Sequence, residues 1–146
     1  MSLDAARAGV VAEARSWLGT PYHHMGRVKG GGCDCLTFVA EVYERSGVLP
    51  HIDVGFYRPD FMKHRGEERY LEGCLAHGVE VAAPQPGDIA LFRPRRWSLV
   101  FCHSGIVTDW PEIIHAAPRY GVMMGNGTQG LLRGSSVRFF SPFRER

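Results

Sequence analysis

The run Gly30-Gly31-Gly32-Cys33-Asp34-Cys35 is followed at once by an apolar stretch, Leu36-Thr37-Phe38-Val39-Ala40-Glu41-Val42-Tyr43. Consecutive glycines disfavour a helix, whereas the apolar stretch has helical spacing. A loop must therefore give way to a helix at about residue 34, with Cys35 in its first turn. Free N–H groups and the positive end of the helix dipole favour a thiolate at that position, which predicts a nucleophilic cysteine. A base must then come from elsewhere in the chain.

The chain has 146 residues, enough for one domain over 1–146 with a real core. A net charge of +2 is too small to point to nucleic acid. No apolar run approaches the roughly 18 residues of a membrane span. The first residues carry Asp4, Arg7 and Glu13 without an apolar core, so no signal peptide is expected and synthesis in the cytoplasm is. The cysteines at 33, 35, 74 and 102 do not form a disulfide framework, since a Cys33–Cys35 bridge closes a very tight ring. No second cysteine pair stands at zinc spacing, so no metal or other cofactor is expected.

Residues 4–18 read as a helix capped by Asp4, with Val10, Val11, Ala14, Trp17 and Leu18 on one face and Gly19 as its stop. The second helix spans about 34–46, its face formed by Cys35, Phe38, Val39, Val42 and Tyr43, with Gly47 after its end. Residues 48–66 look irregular, and a third helix is expected over about 67–76. Short β-runs follow: 79–81, 89–92, 99–108, 112–116, 122–124 and 137–140. Turn signals at Pro84-Gln85-Pro86-Gly87-Asp88 and Gly125-Asn126-Gly127 separate some of them. Helices first and strands afterwards predict an α+β domain with a mainly antiparallel sheet.

Of seven histidines, His103 and His115 fall inside predicted strands. Alternation puts His103 and Gly105 on one face and Cys102 and Ser104 on the other. Gly105 should leave open space beside His103, as a cleft requires. His115 on a neighbouring strand could bond His103 and fix its tautomer, which gives a Cys–His–His relay.

These motifs, in order, resemble those of the NlpC-type cell-wall peptidases, a circularly permuted branch of the papain-like superfamily. The matching residues are Trp17-Leu18-Gly19-Thr20-Pro21-Tyr22, Asp34-Cys35, Pro86-Gly87-Asp88-Ile89-Ala90-Leu91-Phe92, His103-Ser104-Gly105-Ile106-Val107 and Ile114-His115-Ala116. The resemblance covers about residues 5–117. It implies Cys35 as nucleophile, His103 as general base, His115 as the orienting residue and Tyr22 beside the oxyanion. It also implies a peptidoglycan stem peptide as substrate, typically cut between γ-D-glutamate and a diamino acid. The chain departs from the family at Leu36-Thr37, where Ser-Gly is common, and at Cys33. The leucine, the missing signal peptide, and the segments Tyr57-Arg58-Pro59-Asp60 and Gly66-Glu67-Glu68-Arg69-Tyr70-Leu71 look most like bacteriophage, prophage and gene-transfer-agent members. That implies tail proteins as partners, a place in the virion tail and action on the host cell wall.

Asp34 reads first as a helix cap, and it is also a substrate-binding candidate beside the nucleophile. His24 could line the cleft. Arg96 and Trp97, in a loop with Arg93 and Arg95, could hold substrate carboxylates, although such a charge run is more often a solvated loop. Cys33 reads as a small apolar residue or as a redox partner of Cys35. Two other functions stay open: an acyltransferase or thioesterase on the same scaffold, and a non-enzymatic phage tail component that keeps the fold.

Overall fold

The computed structural model describes residues 2–58, 68–94 and 98–143. Helix α1 (Leu3–Ser16) leads into a small hairpin of β1 (Arg27–Val28) and β2 (Gly32–Cys33), then helix α2 (Cys35–Arg45). Helix α3 (Arg69–His77) follows, and then strands β3 (Val79–Val81), β4 (Ile89–Arg93), β5 (His103–Asp109), β6 (Glu112–Ala117), β7 (Gly121–Asn126) and β8 (Ser136–Ser141). The last six form one sheet in the order β3-β8-β4-β5-β6-β7, and every pairing in it is antiparallel. The expected α+β class, helices packed on a mainly antiparallel sheet, is the one observed.

Both faces of the sheet are covered, which explains why its strands read as continuous apolar runs. Ile89, Leu91, Ile106, Ile114, Ala116 and Phe140 face α1 and α2, packing with Val10, Ala14, Trp17, Phe38 and Val42. The alternate residues Ala90, Phe92, Val107 and Ile113 form a second cluster with Leu132, Trp110, Val137 and Phe139. Trp17 meets Phe38 edge-on at 5.9 Å and donates its indole N–H to Glu13 at 2.8 Å, so its polar edge is satisfied.

Several boundaries differ from expectation. Ser2, not Asp4, caps α1, its hydroxyl accepting from Ala5 N–H at 3.1 Å. Residues 99–102 do not extend β5. Val100 bonds the Ser98 hydroxyl through both backbone groups, the Glu68 carboxylate accepts from Phe101 N–H at 3.1 Å, and only Cys102 N–H still reaches β4, at the Phe92 carbonyl. His103 thus opens β5 instead of lying inside it. Strand β7 runs on through Gly125 and Asn126, which had read as a turn. The β1–β2 hairpin was not expected at all. It depends on glycine, because a Cβ on Gly26 would come within 2.7 Å of the Gly32 carbonyl oxygen. The expected start of α3 at Glu67 lies outside the described residues.

The Pro86-Gly87-Asp88 turn locks the helices to the sheet. Gly87 takes φ +91°, and Asp88 accepts from Gln85 N–H at 2.9 Å within the turn. Its other oxygen pairs with the Arg7 guanidinium of α1 at 2.8 Å, and Tyr43 of α2 donates to the Gly87 carbonyl at 2.8 Å. Asp88 is buried. Asp88→Asn should therefore lower the unfolding free energy by about 2–3 kcal/mol, read as a lower midpoint in urea with an unchanged slope.

Candidate active site

Asp34 organises the turn that carries Cys35. One carboxylate oxygen accepts from Leu36 N–H at 3.0 Å, Thr37 N–H at 2.9 Å and the Thr37 hydroxyl at 3.1 Å. Thr37 returns the bond by accepting from Asp34 N–H at 2.9 Å, which completes a capping box. The other carboxylate oxygen accepts from Met25 N–H at 2.8 Å and from the Tyr57 hydroxyl. His24 bonds the Tyr57 carbonyl through Nε2 at 2.9 Å, and its Nδ1 lies 3.9 Å from the carboxylate. Both oxygens of buried Asp34 are thus occupied by the protein, while His24 is part-exposed at the edge of this network. Arg96 and Trp97 lie outside the described residues.

The cap takes the N–H groups of Leu36 and Thr37, not that of Cys35. The Cys35 N–H is therefore the first-turn donor left for a developing oxyanion. Tyr22 runs alongside: it bridges Cys33 across the hairpin, and Pro21 and His23 hydrogen-bond the Cys33 backbone at 3.1 and 2.9 Å. Burial, with the thiol of Cys35 second, pushes the Tyr22 hydroxyl far up, so it is a neutral donor at any working pH.

The two histidines meet. His103 Nε2 lies 2.8 Å from His115 Nδ1, and the rings stand edge to face at 5.1 Å. Both are buried. They occupy the sheet face away from α2, where the His103 ring also approaches Phe92. Gly105 does not open a cleft beside His103, contrary to expectation. A Cβ there would stand 3.0 Å from Ile113 Cδ1 and 3.2 Å from His115 Cβ, so this glycine lets β6 close in. Gly125 has the matching role on β7: a Cβ would lie 2.5 Å from His115 Nε2.

The thiol does not hydrogen-bond an imidazole. Cys35 Sγ donates to the Cys102 carbonyl at 3.5 Å, one residue before His103. Nor is it poised as a thiolate. Burial, followed by the negative charge of Asp34, pushes the thiol well above its ordinary range, against the helix-dipole expectation. Burial likewise lowers His103 to about 3, with His115 as a second cause, and lowers His115 to about 4. The resting pair is neutral imidazole and neutral thiol, because desolvation of charge here outweighs the dipole. Cys33 is free, wholly buried, and pushed up to about 12, first by burial.

The sequence did not single out Tyr57, Tyr70, Ser104 or Gly125. Tyr57 came from a stretch without periodicity, and Gly125 carried a turn signal. Glu41, Glu44 and His51 also approach one another closely enough to hold an ion. Glu41 is already paired with Arg27 at 2.9 Å, and His51 with Glu44 at 2.6 Å.

No protein-family model matches this sequence, and no curated protein matches it either. Solved structures do resemble it. The NlpC/p60 domain of the peptidoglycan hydrolase SagA aligns with a TM-score of 0.61 at 22% identity, over 90% of this chain and 96% of that one. NlpC1 from Trichomonas vaginalis gives 0.66 at 18% identity, over 95% of this chain and 45% of its own. The peptidoglycan hydrolase RipB from Mycobacterium tuberculosis gives 0.64 at 17% identity, over 99% and 70%. At these identities the likeness is one of fold. The chain has the NlpC/p60 fold.

Two outcomes follow from the histidine pair. Each histidine has a folded pKa below its ordinary 6.5, so its contribution to stability is present above that pH and lost as pH falls towards about 4. Urea titrations should show unfolding free energy dropping by up to about 1.4 kcal/mol per pH unit for each histidine in that window. His115→Gln should flatten the slope. Gly125→Ala, which drives a methyl into the His115 ring, should destabilise the fold by about 1–3 kcal/mol and shift the histidine ring resonances in NMR spectra.

Proposed function

We propose that the protein is a cysteine peptidase that hydrolyses amide bonds in peptidoglycan stem peptides. The observation that carries this reading is the buried His103–His115 pair at 2.8 Å, at the start of the strand whose preceding carbonyl holds the Cys35 thiol. The ordered sequence motifs and the fold shared with two peptidoglycan hydrolases support it.

In this reading the thiol leaves the Cys102 carbonyl and the start of β5 turns, so that His103, which at rest lies on the other face of the sheet, takes the thiol proton on Nδ1. Nε2 carries the hydrogen donated to His115 Nδ1, which keeps Nδ1 free as the acceptor. The sulfur attacks the amide carbonyl, and the Cys35 N–H and Tyr22 hydroxyl receive the oxyanion. The imidazolium then protonates the leaving amine as the C–N bond breaks, leaving a thioester. Water attacks the thioester, His103 takes one of its protons, and the carboxylate product departs as the thiol is restored. Because thiol and imidazole are both buried and neutral at rest, charge separation awaits a bound substrate.

The bond joining γ-D-glutamate to a diamino acid is the proposed target, on the strength of the motif resemblance. The same resemblance, in the sequences around Tyr57 and Tyr70, supports a phage- or prophage-tail enzyme that acts on the host wall, with tail proteins as partners. The acyltransferase reading would need an apolar channel to the thiol. A cavity of about 280 Å³ does lie between α2 and α3, walled by Leu36, Val39, Tyr43, Cys74 and Phe140, but Cys35, His103 and His115 do not line it.

Digestion of purified peptidoglycan, read by mass spectrometry under reducing conditions, tests the proposal. Wild type should release stem-peptide fragments, Cys35→Ala and His103→Ala none, and His115→Ala should act about 100-fold more slowly. Intact peptides after wild-type treatment with a reduced thiol would sink it.

A further inference from the structure

The backbone of Cys35 carries an attachment that the chemistry above does not use. The Asp34 carbonyl opens the α2 ladder by accepting from Phe38 N–H at 3.0 Å, and the Cys35 carbonyl beside it is met by two hydroxyls. Ser104 Oγ lies 3.3 Å away and Tyr70 Oη 3.3 Å away, and the two hydroxyls bond each other. Ser104 is wholly buried and Tyr70 nearly so. Each hydroxyl carries one proton, so one of the pair donates to the other and the second donates to the Cys35 carbonyl, in either order.

The location of these bonds gives them meaning. Ser104 follows His103 in β5 and, by alternation, faces α2. Cys102 precedes His103 and accepts from the Cys35 thiol. The strand is therefore stapled to Cys35 on both sides of the proposed base, once through Sγ and once through the carbonyl. Tyr70 buttresses the second staple from α3. Removing either hydroxyl would free the first turn of α2 to shift against His103, and displacements of that kind carry large rate penalties in reactions that depend on alignment.

We infer that Ser104 and Tyr70 are positioning residues, forming a hydroxyl clamp that fixes Cys35 relative to His103. The inference rests on the peptidase reading for its kinetic consequence, but the clamp can also be probed without substrate.

Tyr70→Phe and Ser104→Ala test it. Tyr43→Phe is the control, because it removes another buried hydroxyl-to-carbonyl bond from the same helix, at Gly87 and away from Cys35. On a stem-peptide substrate, the two clamp variants should lose about 10- to 100-fold in kcat with little change in KM, while Tyr43→Phe keeps wild-type kinetics. Alkylation by iodoacetamide, mapped by peptide mass spectrometry, supplies the second readout. The loosened thiol should react about tenfold faster at Cys35 in the clamp variants, while buried Cys33 and Cys102 keep their wild-type rates and serve as internal references for unfolding. A faster-alkylating yet slower-turning enzyme is the signature of lost alignment. If the clamp variants are merely less stable, with Cys35 alkylation and kcat unchanged or all three cysteines accelerated together, the clamp is structural and the inference falls. If wild type cleaves nothing, the peptidase reading fails while selective Cys35 alkylation still decides the clamp.

Discussion

The carboxylate of Asp34 is the fixed point on which this molecule's site is hung. A single buried side chain caps α2, draws in the backbone of Met25 from the turn before the hairpin, and takes the hydroxyl of Tyr57 from the irregular segment. Three stretches of chain distant in sequence thereby converge on the turn that carries Cys35. A buried carboxylate with every oxygen satisfied is costly to assemble and costlier to leave half-paired, so the loops have little freedom to settle elsewhere. The same negative charge raises the thiol that it helps to place. Burial is the larger cause, but the group that fixes the sulfur's position also works against its ionisation.

That opposition separates what was legible in the sequence from what was not. The helix beginning at Cys35 could be read because the glycine run, the aspartate and the apolar spacing all concern neighbouring residues. The meeting of His103 and His115 could be anticipated because strand alternation and adjacency need only the order of elements. The ionisation state could not, because the dipole is a local property while desolvation depends on everything folded around the sulfur. The glycines failed for a related reason. Gly105 and Gly125 look like open space or turn chemistry along the chain, but across the sheet each makes room for β6 and its histidine.

Ser104 and Tyr70 were illegible for yet another reason. Neither residue type is unusual in a strand or a helix, and nothing local marks a serine beside a strand histidine. Their role comes from one long side chain of the third helix reaching a hydroxyl of β5, a contact between residues 34 apart. The start of β5 is a comparable case: apolar residues suggested a strand from Leu99, but the side chains of Ser98 and Glu68 take the backbone of Val100 and Phe101 away from the sheet.

The neutral, buried sulfur also bears on how long such a protein lasts. Peroxides and stray electrophiles consume thiolates, and only where they can reach them. With Cys35 only 8% exposed and held in its protonated form, the chain presents little to attack in an oxidising milieu. The burial that keeps the sulfur uncharged is thus also its protection from oxidation.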